Sequence, residues 1–208
     1  MELSLIQKVA VFALPVLFAI TLHEAAHAFV ARYFGDMTAY AAGRVSLNPL
    51  RHIDPLGTII IPLLTLVLTP FMFGWAKPVP VDFGRLRHPK RDMAWVALAG
   101  PASNLAMAIA WALSLRLTEG EATGFWAQMA LAGVQINLVL MALNLFPLPP
   151  LDGGRIAFSL LPQRLAWQYA KLEPYGLLIV LVLLATGVLW TLLGPLLMVG
   201  RWIVLWFV

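Results

Sequence analysis

Between Val9 and Ile20 this chain carries twelve consecutive apolar residues, and long apolar stretches recur from Met93 to Leu117, Phe125 to Phe146 and Tyr175 to Leu193. They are continuous, not alternating, so they read as helices and not as barrel strands. A chain of 208 residues with 61% hydrophobic and only 12% charged residues, at a mean hydropathy of +0.85, cannot present a water-facing surface; an ordinary soluble domain carries about 25% charged residues. In hydrocarbon each peptide N–H and C=O must be satisfied within the protein, which again selects helices. The expectation is therefore an all-α polytopic membrane protein with about five to six transmembrane helices. The net charge of +4 and pI near 9.8 read as cytoplasmic loop charge and not as a nucleic-acid footprint. There is no cysteine, hence no disulfide framework and no thiolate metal site.

The first span runs from about Ile6 to Tyr33, with Pro15 as a candidate kink. The polar interval Gly35–Asp54 follows. Within it, Thr38 to Pro49 has turn residues and β-prone residues, and reads as a short β-hairpin or extended element. Leu56–Trp75 is apolar but broken by Pro62 and Pro70. Arg44 and Arg51 precede it, and Arg85, Arg87, His88, Lys90 and Arg91 follow it. If both flanks are cytoplasmic, this segment re-enters the membrane instead of crossing it. Thr118-Glu119-Gly120-Glu121 is the least basic loop and faces outward. A short helix starts near Leu151 and ends near Leu161, and closing spans occupy about 172–208. One membrane-embedded domain covers residues 1–208, with a catalytic core at about 6–161.

Inside the first span lies Thr21-Leu22-His23-Glu24-Ala25-Ala26-His27-Ala28. His23 and His27 are one helical turn apart, so both imidazoles share a face and can bind one metal ion. Glu24 is placed to act on a water at that metal. This is the H-E-x-x-H pattern of zinc peptidases, and ionisable groups in a span call for a function. Lys8, the apolar run and Ala26-His27-Ala28 also look like a secretory leader. The rest of the chain is equally apolar, so a leader before a soluble domain makes little sense. Catalytic zinc takes three protein ligands and keeps one position open, so a third ligand is needed. Of four histidines and ten acidic residues, most acids sit in polar loops or at helix ends. Asp152 remains, with His52 and Asp54 in reserve. Asp152 follows three prolines and precedes Gly153-Gly154, at the depth expected for His27. By position alone it reads equally well as a helix N-cap.

His23-Glu24-Ala25-Ala26-His27, Gly100-Pro101-x-x-Asn104, and the run from Asn144 through Pro147, Pro149 and Pro150 to Asp152-Gly153 resemble the site-2 protease family of intramembrane zinc metalloproteases. The likeness covers about residues 10 to 160 and is to the compact, core-only type, since neither a PDZ nor a CBS domain has room here. It implies one Zn2+ held by His23, His27 and Asp152, with Glu24 as the catalytic base. It also implies that Asn144 contacts substrate backbone and that Tyr40–Asn48 is a membrane-associated β-element, with Val45 and Ser46 pairing to an unwound substrate. Asn104 is a further candidate donor to substrate, although it reads more readily as interhelical glue below the Gly100-Pro101 packing point. The implied substrate is a membrane-anchored protein with a transmembrane helix, cut within the lipid bilayer of a prokaryotic cell membrane with the site toward the cytoplasm. No nucleic acid partner is expected. A metal-dependent transporter and a non-catalytic zinc-stabilised scaffold are the rival readings; the first gives Glu24 no task, and the second needs a fourth protein ligand.

Overall fold

A computed structural model describes residues 5–68, 77–116 and 124–207. Its helices are α1 (Leu5–Tyr33), the single turn α2 (Thr38–Ala41), α3 (Ile61–Leu68), α4 (Pro89–Leu115), α5 (Phe125–Leu145), α6 (Asp152–Leu160), α7 (Gln163–Ala170), α8 (Glu173–Ala185) and α9 (Val188–Leu205). Among the described residues four helices are long and apolar enough to cross a membrane: α1, α4, α5 and α9. A fifth span results if α7 and α8, bent 63° apart, are taken together. Large apolar side chains such as Phe18, Phe29, Leu131, Leu178 and Trp202 point outward. That inside-out surface suits lipid, and the protein is an integral membrane protein of all-α, multi-pass architecture.

α4 is the central helix, packed along α1, α5 and α6. The reason is the size of the residues at its contacts. On α1 the buried stripe is Val11, Pro15, Ala19, His23, His27 and Ala31, one residue every four, which forms a single ridge on a helix. On α4 the buried face holds Ala97, Gly100, Ala108 and Ala112. Small residues let membrane helices approach closely where no water-driven collapse holds them together. The same device joins α4 to α5. A Cβ added at Gly133 would lie 2.4 Å from Cγ of Trp111, so the indole lies directly on the α5 backbone. α9 closes the bundle through Gly200, which packs on Leu138 and Met141.

The expected β-hairpin does not form; no residue among those described is in a strand. Asp36, fully buried, accepts hydrogen bonds from the Thr38 N–H at 2.9 Å and from its hydroxyl. This starts a helical turn through Thr38-Ala39-Tyr40-Ala41, which Gly43 ends with a φ of +65°. Ala39 then buries its methyl against Ala28 and Val79. Local capping and that contact outweigh the β-tendency of the neighbouring residues. The re-entrant expectation for 56–75 falls partly on residues 69–76, outside the described residues. The described part is a wide turn at Pro55–Ile60 running into α3. The outward acidic loop at 118–121 also lies outside them. Pro15 sits inside α1 without ending it. The closing spans break at Gly187, whose φ is +76°, and not at Pro195, which lies within α9.

This packing predicts that Gly133→Ala lowers unfolding stability in detergent by about 1–3 kcal/mol through overpacking against Trp111. Gly194→Ala, where nothing lies within 4 Å of the added Cβ, serves as the control and should cost nothing in the same denaturant titration.

Candidate metal centre

Three elements meet at one point. α1 brings His23, Glu24 and His27. α4 brings Gly100 and, one turn later, Asn104. The third contribution comes from the turn between α5 and α6. Prolines at 147, 149 and 150 stop α5 after Leu145, and the chain turns back through Leu148 and a cis Pro149–Pro150 peptide bond. Asp152 opens α6 and makes no capping bond, since the N-cap is Leu151. Gly153 and Gly154 are needed here for close approach. A Cβ at Gly153 would sit 2.2 Å from the Leu145 carbonyl oxygen, and one at Gly154 would sit 2.5 Å from the Pro149 nitrogen. The start of α6 thus rests directly on the end of α5, and this aims Asp152 back at α1.

His23 Nε2 and His27 Nε2 are 3.0 Å apart, and Asp152 Oδ2 lies 3.2 Å from each. The outer nitrogens decide what this triangle means. His23 Nδ1 is 2.7 Å from Asn104 Oδ1, and His27 Nδ1 is 2.7 Å from the Val96 carbonyl. Both partners are acceptors, so each Nδ1 carries the proton and each neutral imidazole presents a bare lone pair at Nε2. Asn104 is itself oriented: its Nδ2 donates to Ala19 O at 3.2 Å and to Asn137 Oδ1 at 2.9 Å, and Asn137 Nδ2 donates to Gly133 O at 2.8 Å. Two lone pairs and a carboxylate oxygen therefore face one another with no proton among them. Asp152 Oδ2 is buried with no hydrogen bond of its own. Such a set fits a divalent cation of the zinc type, which takes imidazole nitrogen and carboxylate oxygen in a three-ligand site. The imidazole–acceptor pairs behind it match the outer shell that metal-binding histidines keep.

Gly100 makes room for the cluster. A Cβ there would lie 2.4 Å from His27 Nε2 and 2.5 Å from His23 Cε1. A cavity of about 240 Å³ opens beside the three donors, bordered by Glu24, Val79, Asn144 and Arg155. Glu24 Oε2 accepts the Val79 N–H at 2.7 Å.

The remaining candidates separate cleanly. Asn144 borders the cavity, and its Nδ2 donates to Leu140 O. Asn104 is fully buried and serves His23 instead of facing the cavity. Val45 packs against the Ala28–Ala39–Val79 cluster, and the Ser46 carbonyl lies 2.8 Å from His52 Nε2. Neither lines the cavity. His52 and Asp54 are engaged in their own loop, Asp54 by capping Gly57 N at 2.7 Å. Among the described residues only His23, His27 and Asp152 form a group able to hold a metal. Sequence reasoning missed the Val79 contact. The signal was Pro78-Val79-Pro80, a stretch in which only Val79 has an N–H.

A profile of peptidase family M50 matches residues 115–186. A Bacillus subtilis protein named "Putative zinc metalloprotease YwhC" is 40% identical over 189 residues, covering 87% of this chain and 83% of that protein. The chain belongs to peptidase family M50. This is the site-2 protease family, so the protein is a zinc metalloprotease and zinc is its cofactor. "Putative zinc metalloprotease Rip2" of Mycolicibacterium smegmatis is 35% identical over 179 residues, 83% of this chain and 66% of that relative. A Methanocaldococcus jannaschii relative, "Putative zinc metalloprotease MJ0611", is 33% identical over 61 residues, 29% of this chain and 31% of the relative. No solved structure matches the M50 chain.

The geometry predicts that Gly100→Ala and Asn104→Leu each weaken zinc binding about 10–100-fold, the usual cost of disturbing a ligand's support. Competition against a zinc chelator measures this, and Asp54→Asn should leave the affinity unchanged.

Proposed function

We propose that this protein is an intramembrane protease of the regulated-proteolysis type, hydrolysing peptide bonds in or near transmembrane segments of membrane-anchored proteins. The observation that carries the reading is the place of the donor triangle. His27 lies six residues before the end of α1, about 9 Å along a helix with a 1.5 Å rise, and the triangle is enclosed by α1, α4 and α6. A substrate reaches it from the bilayer, or from the membrane edge. The whole chain, 1–208, acts as one membrane-embedded unit with its core at about 6–161.

The basic residues support a cytoplasmic orientation in a prokaryotic cell membrane. Arg32 ends α1, Lys90 and Arg91 begin α4, and the Arg87 N–H joins the two ends by donating to Phe34 O at 2.9 Å. The motif sits toward this basic end, and positive charge marks the cytoplasmic face.

His23, His27 and Asp152 would hold the zinc. When bound there, zinc supplies a Lewis acid for the scissile carbonyl and lowers the pKa of its water to about 7. Glu24, at the cavity wall, accepts the proton from the attacking water and returns it to the leaving amine nitrogen. Asn144, at the same wall, donates hydrogen bonds to the substrate main chain. The membrane around the cavity limits bulk water, which strengthens each of these polar contacts.

The scaffold rival calls for a fourth protein ligand. The donor set of three among the described residues favours the catalytic reading.

Cleavage of a single-span substrate in detergent tests the proposal. Wild type is expected to cut, and Glu24→Gln to fall by at least about 10²-fold, the scale of lost general-base catalysis, with zinc content unchanged. Retained cleavage in that variant would remove Glu24 from its role. A chelator should abolish wild-type activity, and added zinc should restore it.

A further inference from the structure

The chain from Lys77 to Asp82 runs as a strap along the metal cavity, which Pro78, Val79 and Val81 line, and it is tied down at both ends. Its first residue donates from Lys77 N to His52 O at 3.1 Å. The Arg44 guanidinium donates from Nη2 to Lys77 O at 2.7 Å and to Pro78 O at 3.4 Å. At the far end Asp82 N donates to Oδ2 of the buried Asp36 at 2.8 Å. Between these anchors the Val79 side chain is buried against Ala28 and Ala39. Pro78 and Pro80 have no N–H and hold φ near −65°. Along Pro78-Val79-Pro80 a single main-chain donor remains, and it is spent on Glu24 Oε2 at 2.7 Å.

A glutamate has three rotatable side-chain bonds, and α1 by itself fixes none of its outer ones. On α1 Glu24 lies beside His23 but is not part of the donor triangle. Without a second anchor its carboxylate could swing toward the cation and become a fourth ligand, or turn away from the cavity. We propose that the Val79 main-chain N–H is a positioning group for Glu24: it holds Oε2, so that the carboxylate stays off the metal and leaves Oε1 to the reacting proton. The strap's prolines and its Arg44 and Asp36 anchors exist to keep that one N–H in place. This rests on the reading of Glu24 as the base. It adds a requirement that no side chain at position 79 satisfies, because the active group is the backbone.

An amide-to-ester replacement at Val79, made by incorporating the α-hydroxy analogue of valine, deletes the N–H and keeps the side chain. Val79→Ala keeps the N–H and trims the side chain. Both are compared with wild type and Glu24→Gln on a single-span substrate, with zinc content and KM measured for each. A hydrogen bond to a charged group contributes enough that its loss should lower kcat about 10- to 100-fold. The ester is expected to show that drop, with KM within about twofold and zinc unchanged, while Val79→Ala, which keeps the N–H, is expected to lose less kcat than the ester. Val79→Pro should behave as the ester does. In the zinc-loaded protein, 15N-valine spectra should show the Val79 amide proton moving upfield in Glu24→Ala.

An ester protein with wild-type kcat overturns the inference, as does a Val79 amide that ignores Glu24→Ala. So does an ester protein whose loss tracks zinc content or a raised KM, since the strap would then serve metal retention or substrate binding. If Glu24→Gln itself still cuts, the base assignment fails and this inference falls with it. If Glu24→Gln is inactive and the ester is fully active, only the positioning role fails.

Discussion

The hydrogen bond from His23 Nδ1 to Asn104 Oδ1 decides the chemistry of the whole bundle. It places the proton on the outer nitrogen and turns the bare one inward. Asn104 can do this only because its amide is held by Ala19 O and Asn137, and Asn137 by Gly133 O. A chain of fully satisfied amides thus runs from α5 through α4 to α1. In a medium of low polarity such a chain is strong when complete and costly when broken. The apolar spans supply position, and this thread of amides supplies the protonation state. The Val96 carbonyl does the same for His27 from another turn of α4.

Much of this was legible in the chain. The continuous apolar runs specified helices because nothing else satisfies a backbone in lipid. The five residues from His23 to His27 specified a shared face. The prolines before Asp152 specified a stop and a return. The tie between a ligand and an N-cap at Asp152 could not be broken from position, because both roles ask for an acid at a helix start. In three dimensions the turn's glycines aim Asp152 at His23 and His27, and it makes no capping bond. Asn104 read as glue between helices, with a donor to substrate as the alternative. Its real partner, His23, is 81 residues away, and only the approach allowed by Gly100 joins them. The β-hairpin failed for a local reason: the Asp36 carboxylate caps a turn, and a buried alanine methyl rewards it. Val79 went unread because the contributing atom belongs to the main chain, marked in the sequence only by the prolines on either side of it.

Glycines do similar work at three joints. At Gly100 a helix makes room for imidazoles, at Gly133 for an indole, and at Gly153 for another helix end. None of the three depends on an unusual backbone angle. What matters is the missing Cβ, so each position measures a distance between elements. The spacing of the site is therefore set by absences as much as by side chains.

The three facing lone pairs carry a cost during biogenesis. Until a positive charge arrives, the folded arrangement holds together groups that repel one another. Protons can supply that charge as well as zinc, so the two compete for the same cage. Occupancy, and with it the balance between folded and unfolded chain, therefore follows the supply of free metal by mass action. A cell short of zinc would hold a smaller standing pool of this protein in its membrane, before any substrate is met.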